Sequence, residues 1–119
     1  MAPVEKIKLT VAIPTYNRNE ILKKNIASLL PQLNNEITVT VYDNCSDVPV
    51  ADTLQEELEN CPQLKVTRNI ANIGACGNVI RCIESCETKW VWLLSDDDAP
   101  DKNAIDTILK YITEYPEAH

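Results

Sequence analysis

Three consecutive carboxylates, Asp96-Asp97-Asp98, follow directly on the apolar run Trp90-Val91-Trp92-Leu93-Leu94. Crowded carboxylates repel one another, and a hard divalent cation relieves that repulsion by taking oxygen ligands. Magnesium and manganese are typically held by one or two carboxylates together with substrate phosphates and water. The same acids at a helix N-terminus would each be favourable by about 0.3–1 kcal/mol with no ligand present. Their position at the carboxyl end of an apolar strand favours the metal over the cap.

Other polar groups recur at comparable places. Asp43-Asn44 follows the run Ile37 to Tyr42, and Asp43 is suited either to opening an Asx-turn or to accepting a hydrogen bond from a base N–H. Tyr16 can stack on a base or cover the core. Arg18 and Arg68 are solvated surface charges or contacts to base or phosphate. Asn72 and Gly74 shape a loop, with Gly74 supplying a permissive backbone. Asn78 reads as a helix-surface residue.

Absences narrow the chemistry. The chain has two glycines, and neither GxGxxG nor GxxxxGK[ST] occurs, so a glycine-rich phosphate cradle is excluded. The single histidine, His119, is the last residue and gives no support to a Ser-His-Asp arrangement. Five cysteines (Cys45, Cys61, Cys76, Cys82 and Cys86) contain no CxxC pair and read as reduced thiols packed as small apolar residues.

The elements that must position these groups alternate. Lys8 to Pro14 reads as a buried strand, and Leu22, Ile26, Leu29, Leu30 and Leu33 recur at helical spacing. Asn17 with Glu20 resembles a capping box at the start of that helix, with Asn19 the other candidate cap. Ile37 to Tyr42 is a second strand, Ala51 to Glu59 a short helix closed by Pro62, and Leu64 to Thr67 a third strand. Cys76, Val79, Ile80 and Ile83 form a third helical stripe. Lys89 to Leu94 is the fourth strand, and Asp101 opens a last helix with Ile105, Ile108, Leu109 and Ile112 on one face. Four strand–helix units argue an open, mainly parallel α/β sheet with helices on both faces. In such a sheet ligands bind beyond the carboxyl ends of the strands at a topological switch point, where every unusual polar group of this sequence falls.

The balance of 11 Lys+Arg against 18 Asp+Glu gives a net charge of −7 in 119 residues. Nucleic-acid backbones and anionic membrane surfaces want clustered basic charge, so neither is an expected partner. No apolar run approaches the roughly 20 residues of a membrane span. Met1 to Lys6 lacks the apolar segment of a secretory signal. The expected setting is cytoplasmic.

Four segments in order, Val11-Ala12-Ile13-Pro14-Thr15-Tyr16-Asn17-Arg18, Val41-Tyr42-Asp43-Asn44-Cys45-Ser46-Asp47, Arg68-Asn69 with Asn72-Ile73-Gly74, and Leu93-Leu94-Ser95-Asp96-Asp97-Asp98, resemble glycosyltransferase family 2. The resemblance spans essentially the whole chain. It implies a GT-A fold, a three-layer α/β/α arrangement whose strand order begins 3-2-1-4, and a nucleotide-diphosphate sugar as donor, with UDP favoured. It also implies Mn²⁺ or Mg²⁺ as cofactor. Pro14, Thr15, Tyr16 and Arg18 match the loop lining the nucleoside pocket, Asp43 the aspartate contacting the base, and Arg68 and Asn72 the neighbouring base or diphosphate region. Asp96 and Asp98 look like the DxD motif, with Asp98 the direct metal ligand and Asp96 nearer the ribose. In the other register of the triplet, Asp97 takes one of those roles.

Residues 1–119 are thus expected to form one donor-binding GT-A subdomain, cut short at its C-terminus, of an inverting enzyme. The catalytic base is expected beyond His119, and the acceptor is a glycan or lipid-linked sugar at the inner face of a membrane. With strand order 3-2-1-4, the strand over 89–94 would lie at an edge, which predicts self-association there. A non-catalytic nucleotide- or sugar-phosphate-binding module, or an interaction domain, is the alternative.

Overall fold

The computed structural model describes residues 9–98 and 100–114. Lys8 and His119, singled out above, lie outside them. Four parallel strands, β1 (Leu9–Thr15), β2 (Ile37–Asp43), β3 (Leu64–Arg68) and β4 (Trp90–Leu93), form one sheet in the order β3-β2-β1-β4. The expected order is the observed one. Because the order reverses direction at β1, the switch point lies between the ends of β1 and β4.

Side chains alternate across a strand, and here the register aligns like with like. Leu9, Val11 and Ile13 stand beside Ile37, Val39 and Val41, then Leu64 and Val66, with Trp90 and Trp92 on the other side. This face is the core. It is covered by α1 (Asn19–Leu29) through Leu22, Ile26 and Leu29, by α2 (Val50–Thr53) and Leu54, and by α5 (Ala104–Glu114) through Ile105 and Ile112. The segment expected as one helix over 51–59 is two: Leu54 is both the C-cap of α2 and the N-cap of α3 (Gln55–Asn60). Pro31 sits in a 3₁₀ turn, Leu30–Gln32, that ends the first helical unit.

The opposite face carries Thr10, Ala12, Thr38, Thr40 and Tyr42, and α4 (Ala75–Glu84) packs on it. Here the expected helical stripe is wrong. Asn78 and Cys82 are the buried residues of α4, whereas Ile80 and Ile83 are about half exposed and Cys76 is exposed. The Tyr42 carbonyl at the end of β2 and the Asn69 side chain give Asn78 its partners, so the helix turns its asparagine inward and leaves two isoleucines outside. Cys82, packed with Ala12 and Tyr42, has its thiol pushed up to about 11 by burial. All five cysteines are free.

Neither asparagine caps α1. Arg18 is the N-cap residue, without a side-chain cap, and Asn17 takes a left-handed backbone with φ of 53°. Asn17 instead clasps the loop after β2. Its N–H donates to Ser46 Oγ at 2.9 Å, and its Oδ1 accepts from the Asp47 N–H at 2.8 Å. Asn19 reaches the same side of the molecule, donating to the Val48 carbonyl and Thr53 Oγ1.

Candidate functional site

The carboxyl ends of three strands bring polar residues into register. Thr15, Asp43 and Arg68 stand side by side on β1, β2 and β3. Across the switch point, Thr15 Oγ1 donates to Asp96 Oδ2 at 2.8 Å, joining the end of β1 to the loop after β4. Asn25 of α1 donates to the Asp96 carbonyl at 2.8 Å, so the loop is held by backbone and side chain together. Asp96 is buried, whereas Asp97 and Asp98 are exposed on a turn closed by the Asp98 N–H to the Ser95 carbonyl.

Arg18 faces these acids. Its Nη1 lies 3.4 Å from Asp96 Oδ1 and 3.3 Å from Asp97 Oδ2. The Ser95 hydroxyl, and then Arg18, hold the Asp97 carboxyl below the usual carboxylate range. Pro14, Thr15, Tyr16, Arg18 and Asp96 line a cleft of about 350 Å³ whose far wall is Asn44, Asn78 and the first turn of α4. Tyr16 is 42% exposed and presents its ring to that opening.

Asp43 and Arg68 are not in the wall of this cleft. Asp43 is fully buried, with Oδ1 accepting from the Ser46 N–H at 2.9 Å and Oδ2 from the Val50 N–H at 3.0 Å and Arg68 Nη1 at 2.9 Å. Burial alone would raise its pKa, but the donors from Val50, Ser46 and Arg68 outweigh it and hold the carboxyl below its ordinary value. Arg68 also donates through Nη2 to the Ser46 carbonyl at 2.9 Å. The pair therefore ties β2, β3 and the start of α2 together directly behind the cleft.

Asn72 does shape its loop: its Oδ1 accepts from Asn44 Nδ2 at 2.9 Å and from the Gly74 N–H at 2.8 Å. Gly74 has φ of 83°, a left-handed value that favours glycine. Asn69 donates to both Asn44 Oδ1 and Asn78 Oδ1 at 3.0 Å, and Asn78 donates to the Tyr42 carbonyl at 2.9 Å. This corrects the surface reading of Asn78, which is 2% exposed. Asn44, Asn69 and Asn78 form a buried amide network behind the cleft that no spacing rule pointed to. The visible signal is an asparagine one helical turn after Gly74 and a turn before Cys82.

Hard oxygen donors fit a magnesium- or manganese-like cation better than a soft metal. Among the described residues no three acidic, histidine or cysteine side chains converge on one point. Asp96, Asp97 and Asp98 are oxygen donors of that kind, and a cation held by one or two of them would take its further ligands from a diphosphate and water.

The sequence matches the family model described as glycosyl transferase family 2 over residues 10–119. The chain belongs to this family. An uncharacterized glycosyltransferase of Mycoplasma genitalium, MG060, is 30% identical over 110 residues, covering 88% of this chain and 37% of that protein. The GalNAc(5)-diNAcBac-PP-undecaprenol beta-1,3-glucosyltransferase of Campylobacter jejuni is 27% identical over 109 residues, covering 90% and 35%. Among solved structures, S. aureus TarS 1-349 in complex with UDP superposes with a TM-score of 0.79 at 26% identity, covering 92% of this chain and 33% of that one. The mannosyltransferase PcManGT of Pyrobaculum calidifontis, in complex with GDP-Man and Mn²⁺, shares the fold with a TM-score of 0.77 at 17% identity, covering 88% and 32%. The glycosyltransferase family 2 chain described here thus has the GT-A fold and spans about a third of the length of the proteins it matches.

Proposed function

We propose that this chain is the donor-binding part of an inverting glycosyltransferase that moves a sugar from a UDP-sugar to a hydroxyl acceptor. The observation that carries this reading is the cleft at the switch point, lined by Thr15, Tyr16, Arg18 and Asp96, with Thr15 hydrogen-bonded to Asp96 and Arg18 paired with Asp96 and the exposed Asp97. The likeness to a UDP-bound structure at 26% identity supports UDP as the nucleotide.

Each residue has a task in that reading. Tyr16 stacks on the base, and Thr15 fixes Asp96, which faces the ribose. Asp98, whose carboxylate is exposed and bonded to no described residue, is the direct ligand for Mn²⁺ or Mg²⁺. When bound, the cation would neutralise charge on the departing diphosphate. Asp43 and Arg68 set the depth of the base pocket, Arg68 through the ion pair that fixes it and Asp43 through the donors it gathers. Asn72 and Pro14 shape the adjoining loops. No described residue is assigned as the base that deprotonates the acceptor.

The acceptor in this reading is a glycan or a lipid-linked sugar, the latter matching the name of the C. jejuni relative. No helix among the described residues is long and apolar enough to cross a membrane. We place the transfer in the cytoplasm, peripheral to the membrane's inner face. β4 is an outer strand with Val91 and Leu93 more than a third exposed, and we place self-association at that edge.

Calorimetric titration of the chain with UDP, with and without Mn²⁺, tests the reading. UDP binding strengthened by Mn²⁺ supports it, and no UDP binding under either condition overturns it.

A further inference from the structure

The two arginines at the strand ends are held very differently. Arg68 is fixed by contacts of 2.9 Å to a fully buried carboxylate and to a backbone carbonyl. Arg18 is anchored only through its backbone, whose carbonyl accepts the Leu22 N–H in the first turn of α1 at 3.0 Å. Its side chain is 54% exposed, and one nitrogen spans Asp96 and Asp97 at 3.4 and 3.3 Å. Exposed ion pairs at such distances are weak, so this guanidinium can leave.

Asp96 cannot follow it. The second oxygen of its carboxylate is bonded to Thr15, and its backbone carbonyl to Asn25. Asp96 Oδ1 therefore stays aimed at the place Arg18 fills, next to the exposed carboxylates. A cation drawn to the loop of Asp96, Asp97 and Asp98 meets a positive charge already held there by Asp96 and Asp97, and like charges close together repel. A diphosphate changes the balance. It offers the planar guanidinium two oxygens for a bidentate contact and offers the cation phosphate oxygens. Arg18 also lines both the cleft and a second hollow of about 530 Å³ beside Asn17 and Asp47, so it has room to swing.

We propose that Arg18 is a resident counter-ion of Asp96 and Asp97 that keeps a divalent cation off the acidic loop, and so off Asp98, until a nucleoside diphosphate draws the guanidinium away. The inference rests on the donor-site reading above and adds an order to it: the cation binds well only with nucleotide present. Reciprocity then requires the nucleotide to gain the same factor from the cation.

Free Mn²⁺ followed by electron paramagnetic resonance tests it, on the wild-type chain, Arg18→Ala and Arg18→Lys, first without nucleotide and then with UDP. Arg18→Ala is expected to bind Mn²⁺ alone about two- to fivefold tighter than wild type. In the same variant the gain in Mn²⁺ affinity on adding UDP shrinks by at least that factor. Arg18→Lys, which keeps the charge, returns Mn²⁺ affinity toward wild type. Mn²⁺ binding without nucleotide that is unchanged or weaker in Arg18→Ala overturns the counter-ion role. Failure of the donor-site reading shows elsewhere, as UDP affinity in the wild-type chain that does not depend on Mn²⁺.

Discussion

The Thr15 hydroxyl donates a 2.8 Å hydrogen bond to Asp96, a residue 81 positions away in the chain. That bond joins the central strand to the acidic loop across the switch point, and both partners are buried. Removing the hydroxyl while keeping the shape leaves a buried carboxylate short of a donor. Thr15→Val is expected to cost about 1.5–3 kcal/mol of unfolding free energy, the range for hydrogen bonds to charged groups, and Thr15→Ser much less. Urea denaturation of the three chains measures this.

Asp43 is expected to act first on stability. Asp43→Ala strands the Val50 and Ser46 N–H groups and unpairs Arg68, for a loss on the order of 3 kcal/mol. The folded carboxyl is held below its ordinary value, so its contribution is present above the unfolded pKa of about 3.9 and lost as pH falls through the lower folded value. The stability gap between wild type and Asp43→Asn should therefore be constant near neutrality and close in strong acid. A gap that closes instead between pH 5 and 7 would contradict the assignment.

Asn78 carries a similar prediction from the other face of the sheet. Asn78→Ala leaves the Tyr42 carbonyl without its donor and Asn69 without one of its acceptors. A loss of about 1–3 kcal/mol is expected in chemical denaturation. A surface asparagine would cost under about 0.5 kcal/mol.

These two cases mark what was legible in the sequence. Alternating apolar runs and helical stripes located all four strands, because Leu9, Val11, Ile13 and their partners bury one continuous face. Asp43, Arg68 and the Asp96-Asp97-Asp98 triplet stand out in the sequence because they fall at or just after the strand ends. Apolar periodicity points α4 the wrong way, because the inward position is taken by Asn78, bonded to the Tyr42 carbonyl and Asn69. Asn17 and Asn19 were misread as caps because the clasp on Ser46, Asp47 and Thr53 joins segments about 30 residues apart. Hydrogen bonds between loops leave no period in a sequence.

The β4 edge supplies a prediction about assembly. Val91 and Leu93 are 36% and 39% exposed, while Trp92, Ile108 and Tyr111 line an apolar hollow on the other face. Light scattering should show mass rising with concentration. Val91→Lys, which places a charge on the outer strand, should suppress the rise. A mass that stays at one chain at all concentrations contradicts self-association.

The most direct test of donor binding is a calorimetric comparison of UDP affinity in Mn²⁺ and in EDTA, on the wild-type chain and on Asp98→Ala. Asp98 is exposed, so the variant should keep the fold. The account predicts that Mn²⁺ tightens UDP binding in the wild type and that the effect disappears in Asp98→Ala. UDP binding of equal strength in Mn²⁺ and EDTA would contradict it.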